Sequence, residues 1–321
     1  MPDGLSVAQG DRIDVDVRRF VDGIAAAYAE QGASAGGGLT ERRAIAERVR
    51  RPWREGGPIM AESADMDMDG IRLRLHRPVA GEKLPVMLYI HGGGWVLFSV
   101  DTHDRLMREY AARAGIAVIG IDYSRAPERK FPVALEECAA ALDWIAARAE
   151  ALNLDAARIL IGGDSAGANL SVATCLLRRQ RGQSLPAGML LNYGAFAPEH
   201  TPSYARFGDG SYSLEADEMD AFWTDYVDGP ERFADPLVAP LRADLTGLPP
   251  AFMAIAECDI LADCNHAFAS RLGEAGVPVR AVTYAGATHS FLEAVSIAPL
   301  AARAFDEQAA WIREIVGNDS L

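Results

Sequence analysis

The chain has 321 residues and sets 31 Lys and Arg against 45 Asp and Glu, for a formal charge of −14. Half of it is apolar and 24% charged, the mix of a protein whose core needs no disulfide or metal staple. The acidic balance excludes sequence-independent binding to nucleic acid or anionic lipid, which needs a basic face, and no run of about 18 apolar residues is present to span a bilayer.

Residues 1–60 read as two helical patterns, Val15–Ala29 and Leu39–Trp53, joined by a flexible Gly32–Gly38 stretch. The opening Met1-Pro2-Asp3-Gly4-Leu5 lacks the basic and apolar regions of a secretory signal. Arg42, Arg43, Arg48, Arg50, Arg51 and Arg54 read as a solvated face of the second helix. From residue 71 short apolar runs alternate with helical patterns. The strand candidates are Ile71–Arg77, Leu84–Ile90, Ile116–Ile121, Arg158–Ile161, Gly188–Tyr193, Ala251–Ala256 and Val279–Tyr284. Continuous apolar runs such as Val86-Met87-Leu88-Tyr89-Ile90 suit strands covered on both faces. Helical spacing places Leu135, Cys138, Leu142, Ile145, Ala149 and Leu152 on one face, opened by Pro132 in the first turn. Further helices are expected over Ala166–Arg181 and Pro299–Val316. This alternation predicts an α/β protein with a mostly parallel central sheet flanked by helices, and chemistry at the carboxyl ends of its strands. Residues 195–248 break the pattern, with a helix expected near Glu215–Val227. The expected organisation is an N-terminal helical cap segment over 1–60 and a catalytic domain over 61–321 carrying a cap insertion at about 195–248. Cys138, Cys175, Cys258 and Cys264 form no C-x-x-C pair, which fits reduced thiols and a cytoplasmic protein.

Gly163-Asp164-Ser165-Ala166-Gly167 stands between a strand and a helix, the setting of a nucleophile elbow. So tight a turn tolerates only very small residues on either side of the serine. It holds the hydroxyl above the sheet edge, with the Ala166 amide and the helix N-terminus facing a developing oxyanion. Chance predicts about 0.1 copies of this string per chain, so its placement carries more weight than its spelling. His91-Gly92-Gly93-Gly94 follows another strand and is far rarer by chance, about 0.005 copies. Consecutive glycines let backbone N–H groups approach a substrate carbonyl closely.

The serine needs a base, and the base an orienting acid, in the chain order Ser, Asp or Glu, His. Asp259 and His289 follow two later strands in that order. Glu257 and Asp263 are the alternatives to Asp259, and Asp263 also suits a helix cap. Trp95, beside the glycine loop, and Asp164, beside the serine, are the candidate substrate-binding residues. Phe98, Phe222, Trp223 and Tyr226 suit a pocket wall or the core. Asp101-Thr102-His103-Asp104 has metal-ligand residue types but reads more simply as a helix start, and His91 as a support for the glycine loop.

The chain resembles the hormone-sensitive-lipase-like family of bacterial esterases within the α/β-hydrolase superfamily. His91–Gly94, Tyr123-Ser124-Arg125-Ala126-Pro127-Glu128, Gly163–Gly167, Asp259-Ile260-Leu261 and His289-Ser290-Phe291 carry the resemblance. It implies the α/β-hydrolase fold, a helical cap, and hydrolysis of short-chain carboxylic esters through an acyl-enzyme without cofactor or metal. By the same resemblance Ser165, Asp259 and His289 form the triad, and the amides of Gly93, Gly94 and Ala166 form the oxyanion hole. Ser124-Arg125 stands where Arg-Leu is commoner, Ile260 replaces a usual Pro, and Ser290 a usual Gly; these bear on substrate preference. The competing readings are an amide or N-acyl hydrolase with the same triad, and a ligand-binding protein that has lost turnover. The expected partner is a small-molecule ester, with neither nucleic acid nor membrane, and a homodimer is compatible. Residues 199–235 hold ten acids against two arginines, a local charge of −8. The field of that segment is expected to disfavour anionic esters.

Overall fold

The computed structural model describes residues 12–32 and 38–317. Most of the expected Gly32–Gly38 joint, and the opening pentapeptide, lie outside the described residues. Asp14 caps the first helix, α1 (Val15–Glu30), its carboxylate accepting the amides of Asp16 and Val17 at 3.0 and 3.2 Å. The second helix, α2, spans Leu39–Arg54.

Three strands follow: β1 (Glu62–Met68), β2 (Ile71–Arg77) and β3 (Leu84–Ile90). The β1 strand was not legible in the sequence. Ala64, Met66 and Met68 do alternate with exposed Ser63, Asp65 and Asp67, but Ala, Asp, Glu and Ser are poor strand formers, so the segment carries no β-branched or aromatic signal. β2 answers that charge from the next position in the sheet, with Arg74 bonding both Asp65 oxygens at 2.6 and 2.9 Å.

The remaining elements alternate. They are α3 (Asp104–Ala114), β4 (Ala117–Ile121), α4 (Val133–Arg148), β5 (Leu154–Asp164), α5 (Ala166–Gln180) and β6 (Met189–Asn192). Then come α6 (Pro202–Phe207), α7 (Ala216–Tyr226), β7 (Ala251–Cys258), α8 (Ala262–Glu274), β8 (Val279–Thr288) and α9 (Pro299–Val316). Pro132 sits at the N-cap of α4, one position before the expected first turn.

The eight strands form one sheet in the order β1-β2-β4-β3-β5-β6-β7-β8. β1, β2 and β4 pair antiparallel, and every pair from β4 through β8 is parallel. Every residue of β3, β4 and β6 is buried, as their unbroken apolar runs require when helices cover both faces. The parallel strands β3, β5, β7 and β8 all point their carboxyl ends at one edge. The segments carrying His91–Gly94, Ser165, Asp259 and His289 leave from that edge. All four cysteines are buried thiols, on α4, α5, β7 and α8. Among the described residues no helix is long and apolar enough to cross a membrane.

Candidate active site

Ser165 lies between the end of β5 and the start of α5, with φ 53° and ψ −117°. That left-handed φ is costly for a residue with a side chain. It is held by the Ser165 amide donating to Asn192 O at 2.9 Å and the Ala195 amide donating to Ser165 O at 3.3 Å. The flanking glycines are sterically required. A Cβ on Gly163 or on Gly167 would collide with the Ile90 carbonyl, the last residue of β3.

His289 follows β8 and Asp259 follows β7. His289 Nε2 stands 3.0 Å from Ser165 Oγ, and its Nδ1 stands 2.8 Å from Asp259 Oδ2. The other Asp259 oxygen accepts the Leu261 amide at 3.0 Å, which fixes the carboxylate's rotation. Ser165, Asp259 and His289 are 6%, 1% and 6% exposed. Burial pulls the His289 pKa down, but the charge and hydrogen bond of Asp259, with the charges of Asp164 and Glu218, outweigh it and leave it raised above 6.5. The alternatives to Asp259 are engaged elsewhere. Glu257 accepts the Gly286 amide at 2.9 Å, and Asp263 accepts the Ser203 amide at 2.8 Å and pairs with Arg206. Asp263 lies within the first turn of α8 and does not cap it.

The glycine loop leaves β3 beside Ser165. Gly93 and Gly94 have φ of 112° and 59°. A Cβ on Gly93 would strike the Leu97 carbonyl, and one on Gly94 would strike the Phe222 ring. Among the described residues no protein acceptor takes the amide of Gly93 or Gly94, and Ala166, first in α5, has no acceptor within its helix. Tyr123 stacks on His91 at 4.3 Å and donates to its carbonyl at 3.0 Å, while His91 Nδ1 donates to Gly92 O at 2.7 Å. Burial and the neighbouring His103 lower the His91 pKa to about 4, so it supports the loop as a neutral ring.

Asp164 lines the cavity, yet its oxygens are occupied. It accepts Tyr89 Oη at 2.8 Å and the Gly92 amide at 3.1 Å, and His103 Nε2 lies 3.3 Å from its second oxygen. It therefore ties the serine turn to the glycine loop. Burial opposes its charge, but His103 outweighs that and holds the carboxyl below its usual range. His103 was missed as a site residue, because its partner is 61 residues away. Within the Asp101–Asp104 string, Asp101 and Asp104 pair instead with Arg72, Arg74 and Arg108. No metal-holding cluster is present among the described residues.

A cavity of about 920 Å³ opens onto Ser165 and His289. Its walls come from α1, α2, the glycine loop and α7, including Tyr28, Arg50, Phe98, Glu218 and Phe222. Two expectations are corrected. Trp95 does not line it. Its ring is fully buried against Tyr226, stacked at 4.3 Å and 8°, and against Trp223, because its φ of 61° turns the side chain into the core. Nor do the α2 arginines form one solvated face: Arg50 is 7% exposed and lies 3.0 Å from Glu293, and Arg43 bonds Val96 O and Ala126 O. Glu218 projects into the cavity region, where burial, then Glu215, raise its pKa.

With this geometry in view, residues 87–293 match a family model described as the alpha/beta hydrolase fold. The chain belongs to the α/β-hydrolase family. Among relatives of this hydrolase, an ethyl acetate hydrolase of Pseudomonas putida is 35% identical over 84% of the chain and 90% of its own length. A carboxylesterase of Mycobacterium tuberculosis is 35% identical over 84% of the chain and 88% of its own. A hyperthermophilic esterase from Pyrobaculum calidifontis superposes with a TM-score of 0.88 at 32% identity, covering 94% of this hydrolase and 98% of that chain.

Proposed function

We propose that this carboxylic ester hydrolase acts on short-chain esters through an acyl-enzyme on Ser165. The hydrogen-bonded series Asp259–His289–Ser165, open to the cavity, is the observation that carries the reading. His289 Nε2 takes the Ser165 proton as Oγ attacks the ester carbonyl, and Asp259 holds the imidazole by Nδ1 and stabilises its cationic form. The amides of Gly93, Gly94 and Ala166 receive the oxyanion, a contribution of about 3 kcal/mol per donor in enzymes where one has been removed. The tetrahedral intermediate collapses as His289 returns the proton to the departing alcohol. Water then attacks the acyl-enzyme with His289 again as base, and the acid leaves.

A short acyl and alcohol preference is supported by the ethyl acetate hydrolase among the relatives. Discrimination against anionic esters is supported by Glu215, Asp217, Glu218 and Asp225 along the cavity, and should weaken with salt. Residues 1–60 and 195–248 are proposed to act together as a cap, supported by the walls that α1, α2 and α7 give the cavity. A cytoplasmic setting is supported by the four buried thiols.

The test is a p-nitrophenyl ester series from acetate to decanoate, with a matched anilide alongside. Turnover should be greatest on the short esters, and Ser165→Ala should lower kcat about a millionfold. Wild-type-like turnover by Ser165→Ala, or faster cleavage of the anilide than of the ester, would overturn the reading.

A further inference from the structure

Helix α2 presents Arg43, Glu47 and Arg50 at spacings of four and three, so all three lie on one face. Each grips a segment of the site. Arg43 donates to Val96 O at 2.8 Å and to Ala126 O at 2.7 Å. Glu47 accepts the Ser99 hydroxyl at 2.7 Å. In linking the Phe98 segment to the segment that follows His289, Arg50 differs from both. Its Nε lies 3.0 Å from Glu293 Oε2, and its guanidinium sits 5.0 Å from the Phe98 ring centre.

Both contacts end one step from reacting groups. Phe98 Cδ2 stands 2.8 Å from the place a Cβ on Gly93 would occupy, so the ring is pressed against the backbone that carries one oxyanion amide. Glu293 belongs to the short 3₁₀ turn Phe291–Ser296, and its amide donates to Ser290 O at 3.0 Å, next to His289. We propose that the Arg50–Glu293 ion pair is a positioning device that sets the glycine loop and the His289 segment in register with each other across Ser165. The proposal rests on the esterase reading above.

The pair is a poor choice for stability alone. The two side chains are only 8% and 6% exposed, and well-packed apolar residues usually serve such a place as well or better. Arg50 Nη1 has no protein hydrogen-bond partner among the described residues, so within the protein Glu293 is the group that Arg50's charge faces. What a charged fork offers, and a Met or Leu does not, is direction: one planar group stacks on Phe98 and faces Glu293 together. Placement errors near 1 Å at reacting atoms can cost about a hundredfold in rate, so modest slack here has a large readout.

The variants are Arg50→Met, Glu293→Gln, Arg50→Lys and the double variant R50M/E293M. Each is assayed for Tm, for kcat and KM on neutral p-nitrophenyl butyrate, and for the inactivation rate by a neutral fluorophosphonate. That reagent reads the reactivity of Ser165 whatever ester the enzyme prefers. Each charge-removing single variant should lose Tm and lower kcat roughly ten- to a hundredfold, with KM within about threefold. The double variant leaves no unpaired charge, so its Tm should return while kcat and inactivation stay low. Arg50→Lys keeps the charge without the fork and should show kcat and inactivation well below wild type. A double variant with both wild-type Tm and wild-type rates overturns the proposal. If the double variant does not fold, wild-type rates in Arg50→Lys overturn it equally. A wild-type protein that neither hydrolyses the ester nor reacts with the fluorophosphonate would overturn the esterase reading and this one together.

Discussion

The strand ends and the helices above them obey different logics. Ser165, Asp259 and His289 each follow the carboxyl end of a parallel strand, and their relative placement is inherited from one hydrogen-bonded sheet. The walls of the cavity come from α1, α2 and α7, whose residues acquire their roles only through contacts made across long stretches of chain. The same distinction runs through the glycine loop. Gly93 is constrained by the Leu97 carbonyl, within its own turn, whereas Gly94 is constrained by Phe222 from α7. A site of this kind has a stiff floor and an adjustable ceiling.

The most damaging way to test the floor is at the acid. Asp259→Asn should keep the fold but leave His289 in the wrong tautomer, with a fall in kcat of about ten thousandfold. A loss under tenfold would mean the strand-end geometry is not what aligns the imidazole. Next comes the boundary between floor and ceiling. Gly94→Ala should cost on the order of a hundredfold in kcat/KM, and adding Phe222→Ala should return part of it, because the obstructing ring is then gone. Gly93→Ala should be as damaging and not be relieved by Phe98→Ala, since backbone blocks it as well. Equal rescue of both glycine variants would erase the distinction.

The smallest effect is in the acid limb of the pH profile. His289 must be neutral to act as base, and its pKa is raised above 6.5, so kcat/KM should fall about tenfold per unit as pH drops below that raised value. Removing the Glu218 charge with Glu218→Gln should shift the limb slightly downward, because that carboxylate helps to raise His289. An unchanged limb would mean that the ceiling does not reach the imidazole electrostatically.

How much of this was readable in advance follows the same division. The strands β2 through β8, the serine turn and the glycine loop carry local signatures: apolar runs or alternation, and glycines at places where a side chain would strike backbone. Chain order could not separate Asp259 from Glu257 and Asp263, since all three lie between Ser165 and His289, and the 2.8 Å from Asp259 to His289 supplies what order could not. β1 was passed over because its alternation of Ala64, Met66 and Met68 with acids is written in residues of low strand propensity. Trp95 was misplaced for want of its backbone angle, and Arg50 because a buried cation looks in sequence like any other arginine on a helix. His103 shows the limit most clearly, since nothing near it in the chain names Asp164 as its partner.

The four thiols give the molecule a built-in clock. Burial pushes Cys175 up to about 12 and Cys264 to about 11, and Cys138 also far above its ordinary range, so almost no thiolate exists there at neutral pH to meet an alkylating reagent. Modification at these positions therefore waits for the surrounding structure to open. Cys138 and Cys175 report on adjacent helices, α4 and α5, while Cys264 reports on α8, close in the chain to Asp259. Mapping which position is alkylated first in mild denaturant would show where the structure yields before it unfolds as a whole.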